Sequence, residues 1–261
     1  MHFYGTDSDE DEKKPRKLNK KNCGKPPKRI VAIRNSDKTH SETWNPSRSK
    51  NLANFPSPAR ILLLGSCGVG KSTLIKNLIL HQRPRFEQVF LVHQDATYTT
   101  EYDDLDCTEI FDEIPDIDFW ELPEGSPYIK RCVILDDLEL TSADRERKKR
   151  LAILFRYCST HKGLTVYFAH QSCFDTPSLI RKMADVWILW RLRLTHTIEN
   201  RVGFKKGDLK QLFDTVATGH RDSICIDLKE NSPAKLRKNV WERISAVQSD
   251  TEELEYAHTL A

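Results

Sequence analysis

The chain has 261 residues, of which 38% are hydrophobic and 30% are charged, and its formal net charge is +3. That hydrophobic share supports a packed core and excludes a wholly disordered chain, and no apolar run approaches the roughly 20 residues of a membrane-spanning helix. The small net charge does not identify a partner, but the charges are segregated along the chain.

Residues 1–57 are predicted to form a disordered basic tail. They contain few apolar residues, and from Lys13 to Arg29 there are nine Lys or Arg and no acid. Such a segment is typical of a nuclear-import signal, a loose nucleic-acid contact or a solvated arm, and the pattern does not separate these three. The start of the chain lacks the apolar stretch of a secretory signal, and the seven cysteines form no CxxC pair. We therefore expect an intracellular protein with free thiols and no membrane partner.

From residue 58 onwards, short apolar runs alternate with stretches that have helical spacing. Six runs are predicted strands, at residues 60–65, 88–93, 131–137, 164–171, 185–191 and 222–228. Most are apolar on both faces, as strands covered by helices on both sides must be. The alternation predicts an α/β three-layer sandwich with a mostly parallel central sheet over residues 58–248, and a C-terminal tail over 249–261. Residues 95–129 are an acidic insertion with twelve Asp or Glu and no Lys or Arg.

The first predicted strand leads into GSCGVGKST, which matches the phosphate-binding pattern GxxxxGK[ST] of P-loop NTPases. Glycines let the backbone curl so that consecutive N–H groups meet a phosphate at the positive end of the following helix. Lys71 is expected to reach the β- and γ-phosphates of ATP, Ser72 to bind Mg²⁺, and Thr73 to touch the α-phosphate. The predicted nucleotide-binding residues are Gly65, Ser66, Cys67, Gly68, Val69, Gly70, Lys71, Ser72 and Thr73.

The third predicted strand ends on two adjacent acids, Asp136 and Asp137. Burying two carboxylates is costly without a cation or hydrogen bonds, so we expect Asp136 to hold Mg²⁺. Asp137 is the predicted catalytic base that polarises the water attacking the γ-phosphate, and Glu139 is the alternative. A purely structural interpretation, in which both acids cap the next helix, remains open.

The fourth predicted strand is apolar until it ends on His170 and Gln171. In an open α/β sheet, ligands bind outside the carboxyl ends of the strands, so Gln171 is predicted to face the γ-phosphate and to sense the bound nucleotide. The alternative is a polar residue that only begins a loop. For His170, a structural hydrogen bond and a catalytic role are both open.

Several segments together carry a family resemblance: ILLLGSCGVGKSTL, VILDDL and LFRYCSTHKGLTVYFAHQ, followed by TPSLIRKMADVWILWR. They resemble the DNA-packaging ATPases of large double-stranded DNA viruses, including the poxvirus type, and of virus-like transposons, within the FtsK–HerA superfamily. The resemblance covers about residues 60–191. It implies a homo-oligomeric ring that hydrolyses ATP at subunit interfaces and drives double-stranded DNA into a preformed capsid, with a capsid or portal-like protein as partner.

The resemblance also implies that an arginine from a neighbouring subunit completes each site and stabilises charge on the transferred phosphoryl group. Arg156 and Arg181 are the candidates. The family often carries an Arg-His pair just before the Gln-bearing strand, but this sequence has His161 and Lys162 there. The identity of the arginine is therefore open.

Two basic segments offer a contact for DNA. There are seven Lys or Arg against two acids from Thr141 to Lys162, and eight against three from Leu179 to Lys210. Phosphate contacts give affinity for any DNA sequence, as a packaging motor needs, although ordinary solvated helix faces have the same composition. The acidic insertion should repel DNA, so we expect it on the outside of a ring or against a basic partner.

Two other functions share the phosphate loop: a P-loop kinase of small molecules, and a nucleotide-gated scaffold that recruits proteins through its tails. The acid pair and Gln171 favour water activation over transfer to a small acceptor. A packaging motor would be found inside the host cell, in the nucleus if the basic tail is an import signal, or at a vertex of the virion.

Overall fold

The computed structural model describes residues 47–48, 53, 55–96, 100–122, 129–140, 145–192, 196–230, 235–248 and 254–259. These residues all belong to one compact unit, Lys38–Ala261. The basic segment Lys13–Arg29 lies outside the described residues, so its predicted disorder stays a prediction.

The strands, in chain order, are β1 (Ser47–Arg48), β2 (Pro56–Ser57), β3 (Arg60–Leu64), β4 (Gln88–His93), β5 (Glu109–Phe111), β6 (Arg131–Asp136), β7 (Leu164–His170), β8 (Val186–Trp190), β9 (Ser223–Asp227), β10 (Leu236–Lys238), β11 (Glu242–Gln248) and β12 (Leu254–Thr259). The helices are α1 (Lys71–Leu80), α2 (Arg145–Ile153), α3 (Ser159–His161), α4 (Ser178–Met183), α5 (His196–Val202) and α6 (Asp208–Thr215). A π-helical turn (Leu154–Cys158) joins α2 to α3, and a 3₁₀ helix (Ile117–Trp120) follows β5. No helix within the described residues is both long and apolar enough to span a bilayer.

Within the described residues, ten strands form one sheet in the order β12-β11-β10-β9-β8-β3-β7-β6-β4-β5. The six strands from β8 to β5 are parallel to one another, whereas β9 to β12 extend the sheet in antiparallel fashion. The predicted α/β fold with a mostly parallel sheet is confirmed. All six predicted strands are present, each ending within one residue of its predicted bounds.

The core lies on both faces of this sheet. Alternate residues of β3 enter opposite clusters, with Leu62 and Leu64 on one face and Ile61 and Leu63 on the other. Because side chains alternate along a strand, a strand covered on both faces has to be apolar throughout. Helix α1 packs on the face of Ile61, while α2, the π-helical turn and α6 pack on the face of Leu62, which gives three layers.

The fold begins earlier in the chain than the predicted boundary at residue 58. Ala53 and Phe55 are buried in the core, and β2 pairs with β1 in a separate two-stranded antiparallel sheet. Arg237 of β10 lies over the Phe55 ring at 5.0 Å and donates a hydrogen bond to the carbonyl of Ala53. This contact joins residues 184 positions apart, so the local composition did not reveal it.

The predicted C-terminal tail contains a strand. β12 lies within residues 249–261 and pairs with β11 in antiparallel register from Arg243↔Thr259 to Gln248↔Leu254. Its sequence, LEYAHT, mixes polar and apolar residues, and it lies at the edge of the sheet. Edge strands need no continuous apolar run, so the hydrophobic pattern gave no signal there.

The acidic insertion packs against the basic helix that follows it. Arg147 pairs with Glu113, Arg150 with Asp116 at 2.9 Å, and Lys162 with Glu121. Three basic residues of the Thr141–Lys162 segment are therefore neutralised within the chain. This reduces the expected role of that segment as a DNA contact.

Candidate functional site

The predicted phosphate loop joins β3 to α1, and two of its positions favour glycine, one for lack of space and one because of its backbone conformation. A Cβ atom on Gly65 would lie 2.9 Å from Trp190 Cβ and 2.9 Å from Val69 Cγ2, closer than real side chains approach. Gly70 has φ of 100°, a left-handed conformation that glycine adopts without strain. Its carbonyl accepts the first hydrogen bond of α1, from Leu74 N at 2.9 Å. The loop thus turns sharply into the N-terminus of a helix.

Lys71, the first residue of α1, is held against this loop. Its side chain is 8% exposed, and Nζ donates to the carbonyls of Gly65 at 2.9 Å and Ser66 at 3.0 Å. A large cleft of about 1700 Å³ opens above the loop. The predicted loop residues that line it are Cys67, Gly68, Val69, Gly70, Lys71, Ser72 and Thr73.

Asp136 ends β6 with a buried carboxylate that the loop side chains reach. Its Oδ2 accepts hydrogen bonds from Ser72 Oγ at 2.9 Å and from Tyr102 Oη at 2.5 Å. Burial raises the pKa of Asp136, and the two hydrogen bonds oppose that shift. The two residues predicted to bind Mg²⁺, Ser72 and Asp136, are therefore in direct contact.

Tyr102 is a member of this site that the sequence did not indicate. Burial is the largest cause that raises its pKa, followed by the Asp136 carboxylate, so the phenol stays protonated and donates to Asp136. The residue lies in the acidic insertion, with no motif around it. Its place at the site follows from tertiary packing, to which a single sequence gives no local clue.

Asp137 and Gln171 meet at the carboxyl ends of two neighbouring strands. β6 and β7 are parallel partners in the register Asp136↔Ala169, and Gln171 Nε2 donates to Asp137 Oδ1 at 3.0 Å. β7 lies between β6 and β3, so both side chains also face the phosphate loop and line the same cleft. The structure brings together the acids, Gln171 and the loop as the sequence predicted.

His170 has a structural place in the loop after β7. Its Nδ1 accepts hydrogen bonds from the backbone N–H groups of Gln171 at 2.8 Å and Ser172 at 3.2 Å. Burial lowers the pKa of His170, so the neutral ring that can accept these bonds is the favoured form. Of the two roles that the sequence left open, this geometry supports the structural one.

The two candidate arginines lie away from this cleft. Neither Arg156 nor Arg181 is among the described residues that line it. Arg156 is exposed on the π-helical turn, and Arg181 of α4 is partly buried, with Nη1 3.9 Å from Cys173 Sγ.

A divalent cation fits the residues at this site on chemical grounds. No group of three or more His, Cys, Asp or Glu side chains that could hold a metal occurs within the described ranges. Mg²⁺, however, is usually held by one or two protein oxygens together with substrate phosphates and water. The Ser72 hydroxyl and the Asp136 carboxylate supply two such oxygens beside the phosphate loop.

Neither a protein-family model nor a curated protein matches the chain. Among solved structures it is similar to the genome packaging NTPase B204 of Sulfolobus turreted icosahedral virus 2 in complex with sulfate, at 14% identity and a TM-score of 0.47 over 70% of this chain and 96% of that one. It is similar to B204, the DNA-packaging ATPase of Sulfolobus turreted icosahedral virus, at 15% identity and a TM-score of 0.48 over 70% and 97%. It is also similar to the cytoplasmic domain of the Type VII secretion ATPase EccC of Thermomonospora curvata, at 14% identity and a TM-score of 0.47 over 80% and 29%. Packaging ATPases, the family that the sequence resembles, are thus present among the similar structures. Identities of this size do not transfer a function, so the function proposed below depends on the residues of the site.

Proposed function

We propose that this protein is an ATP-hydrolysing motor that moves double-stranded DNA and packages a viral genome into a preformed capsid. The observation that carries the proposal is the hydrogen bond from Gln171 to Asp137, beside a phosphate loop whose Ser72 contacts Asp136. A carboxylate held by an amide at the γ-phosphate end of such a loop is suited to activating water. The resemblance of the sequence to packaging ATPases gives the motor its substrate, duplex DNA.

The phosphate loop and Lys71 bind the triphosphate in this proposal. Backbone N–H groups around Gly68 and Gly70 point toward the phosphates, and the Lys71 ammonium moves from the loop carbonyls to the β- and γ-phosphates. Ser72 and Asp136 would hold Mg²⁺, which would neutralise negative charge on the bound phosphates. Tyr102 fixes the orientation of Asp136 through its hydrogen bond.

Asp137 acts as the base that accepts a proton from the attacking water. Gln171 positions this carboxylate and, because it lies on the neighbouring strand, can report the state of the γ-phosphate to the rest of β7. An arginine from a neighbouring subunit, Arg156 or Arg181, completes the site in a homo-oligomeric ring. Both lie outside the chain's own cleft, which is consistent with action on a neighbour's site.

Exposed lysines supply the DNA contact. Lys205, Lys206 and Lys210 are exposed in the second basic segment, whereas much of the first is paired with acids. Contacts of this kind reach phosphates and carry no base readout, as a packaging motor needs. Exposed acids of the insertion, such as Asp112 and Asp118, suit a basic surface of a capsid or portal-like protein at the virion vertex.

An ATPase assay with and without duplex DNA tests the proposal, with the mass of the protein measured in the same buffer. We expect steady phosphate release that duplex DNA accelerates in fractions containing an oligomer. Phosphate transferred to a small acceptor would instead indicate a kinase. ATP binding without turnover would indicate a nucleotide-gated scaffold.

A further inference from the structure

The cleft above the phosphate loop extends far beyond the residues that the proposed chemistry uses. β8 and β9 lie on one side of β3, and the acids and Gln171 lie on the other. The first side contributes a separate set of lining residues: Trp190, Arg221, Ser223, Asn239 and Trp241. The cleft therefore has a second half, remote from the γ-phosphate end.

Sheet geometry brings this second half to the same edge as the loop. β9 runs antiparallel to β8, so its first residue, Ser223, pairs with the last residue of β8, Trp190. Trp190 in turn lies against Gly65 of the loop. Two strand spacings, about 10 Å in all, separate β3 from β9, a distance that the ribose and α-phosphate of a bound nucleotide can span together.

The turn between β10 and β11 is strained and tightly held. Asn239 and Val240 have φ of 49° and 73°, and a positive φ is an outlier for a β-branched residue such as valine. The Asn239 side chain accepts from Ser223 N at 2.9 Å and donates to Asp222 Oδ1 at 3.1 Å, while Val240 is fully buried. Strain of this kind persists where the surroundings fix it, and it is concentrated at ligand sites.

This turn presents the indole of Trp241 to the cleft. Trp241 is half-buried, packs against the core cluster on the α1 side of the sheet, and lines the cleft. Arg221 also lines the cleft and is exposed, and its carbonyl accepts a hydrogen bond from Trp190 Nε1 at 3.1 Å. An aromatic face and a guanidinium group are the surfaces on which bases stack, whatever the base.

We propose that Trp241 and Arg221 form a nucleobase subsite, in which the base of a purine nucleoside triphosphate stacks on the indole while its phosphates lie in the phosphate loop. This inference rests on the proposed nucleotide binding and adds the recognition of the base. The Asn239 amide already uses one acceptor position for Ser223 N and one N–H for Asp222, and stacking does not distinguish one base from another. The subsite therefore accepts adenine and guanine alike.

Calorimetric titration of the full chain with ATP, GTP and inorganic tripolyphosphate, each with Mg²⁺, tests the subsite. Wild-type protein should bind ATP and GTP within about tenfold of each other and both more tightly than tripolyphosphate. Trp241→Ala should weaken the binding of ATP about ten- to a hundredfold and leave the affinity for tripolyphosphate unchanged. Unchanged tripolyphosphate binding would also show that the variant is folded. Trp241→Phe, which keeps an aromatic face, should retain most of the ATP affinity.

Two results with Trp241→Ala would overturn the subsite while the phosphate site stands: an affinity for ATP equal to that of wild type, or equal losses of affinity for ATP and tripolyphosphate. A preference of the wild-type protein between ATP and GTP far above tenfold would also overturn it. If wild-type protein bound neither ATP nor tripolyphosphate, the nucleotide site itself would be wrong and the subsite would fall with it. The titration with tripolyphosphate therefore distinguishes failure of the nucleobase subsite from failure of the phosphate site.

Discussion

Two features of Asp137 indicate that its side chain is functional. Its φ of 53° is uncommon for a residue other than glycine, and its carboxylate is exposed at the cleft while it accepts a hydrogen bond from Gln171. Backbone conformations of this kind are concentrated at functional sites because surrounding structure has to maintain them. The turn at Asp137 aims the carboxylate away from β6 and toward Gln171.

Replacement of Asp137 by asparagine tests the predicted base. Asparagine tolerates the left-handed conformation, so the variant should fold and bind ATP, but its amide cannot take a proton from water. Single-turnover hydrolysis should fall about 10²- to 10⁴-fold. Glu139→Gln is the matched control and should hydrolyse ATP normally. An Asp137→Asn protein that turns over at the wild-type rate would show that the base lies elsewhere.

We expect His170 to make the stability of the protein depend on pH. Burial lowers its pKa below the ordinary 6.5, with Lys71 adding to the shift and Asp175 and Asp137 opposing it. The unfolded chain therefore takes up a proton at higher pH than the folded chain. The stability contributed by neutral His170 is fully present above about pH 6.5 and is lost as the pH falls through the folded pKa.

Urea unfolding at pH 7.5, 6.5 and 5.5 measures this effect. The difference in unfolding free energy between wild type and His170→Asn should shrink toward low pH, because asparagine can accept the same backbone hydrogen bonds without titrating. His220→Asn, at an exposed position, should leave the pH dependence of wild type unchanged. A pH-independent difference between wild type and His170→Asn would contradict the argument.

At the residue scale, local motifs were predictable and tertiary partners were not. The phosphate loop, Asp136, Asp137 and Gln171 follow from short patterns whose spacing is fixed by a strand end. Tyr102 and Trp241 reach the same cleft from the acidic insertion and from a turn between edge strands. The sequence around each of these two residues contains no pattern that predicts the contact, so it becomes visible only in the folded chain.

At the element scale, the buried parallel strands were predictable because each is a continuous apolar run. The strands β10 to β12 escaped prediction, since antiparallel strands at the margin of a sheet face water on one side and mix polar with apolar residues. The core residues before residue 58 also escaped prediction from the local sequence. Phe55 is 3% exposed within the core cluster on the α1 side of the sheet, and Arg237 of β10, distant in sequence, lies over its ring.

Phe55→Ala tests whether the segment before residue 58 belongs to the fold. Loss of a buried phenyl ring should lower the free energy of unfolding by about 3–5 kcal/mol, measured by urea denaturation. Leu80→Ala, at a side chain that is 46% exposed, should change it by less than about 0.5 kcal/mol. Equal stability of Phe55→Ala and wild type would place this segment outside the cooperative unit.

The exposed lysines after α5 are predicted to contact DNA, and the basic helix α2 is not. Each phosphate contact adds about 0.9 to the slope of log affinity against log salt, so Lys205→Ala with Lys206→Ala should lower that slope by about 1.8. Lys148→Ala, an equally exposed lysine on α2, should leave it unchanged. Salt titrations of duplex binding by fluorescence anisotropy measure these slopes. An unchanged slope in the double variant would show that Lys205 and Lys206 do not contact DNA.

At the scale of the whole molecule, the separation of charge along the chain is partly cancelled by folding. Pairs such as Arg147 with Glu113 and Lys162 with Glu121 bring the acidic insertion onto the basic segment that follows β6. Exposed acids of the insertion remain, as do exposed basic residues both around Lys205 and Lys206 and on α2, such as Lys148. In the proposed ring, the basic surface around Lys205 would hold DNA and the acidic surface would be left for a partner protein.

The most direct measurement of the motor function is a triplex-displacement assay, in which a third strand bound at one end of a duplex is released by an enzyme that travels along it. The wild-type oligomer should release the strand with ATP and Mg²⁺, with a lag that grows with the length of the duplex, and should not release it with a non-hydrolysable analogue. Vigorous ATP hydrolysis without displacement on duplexes of any length would contradict translocation.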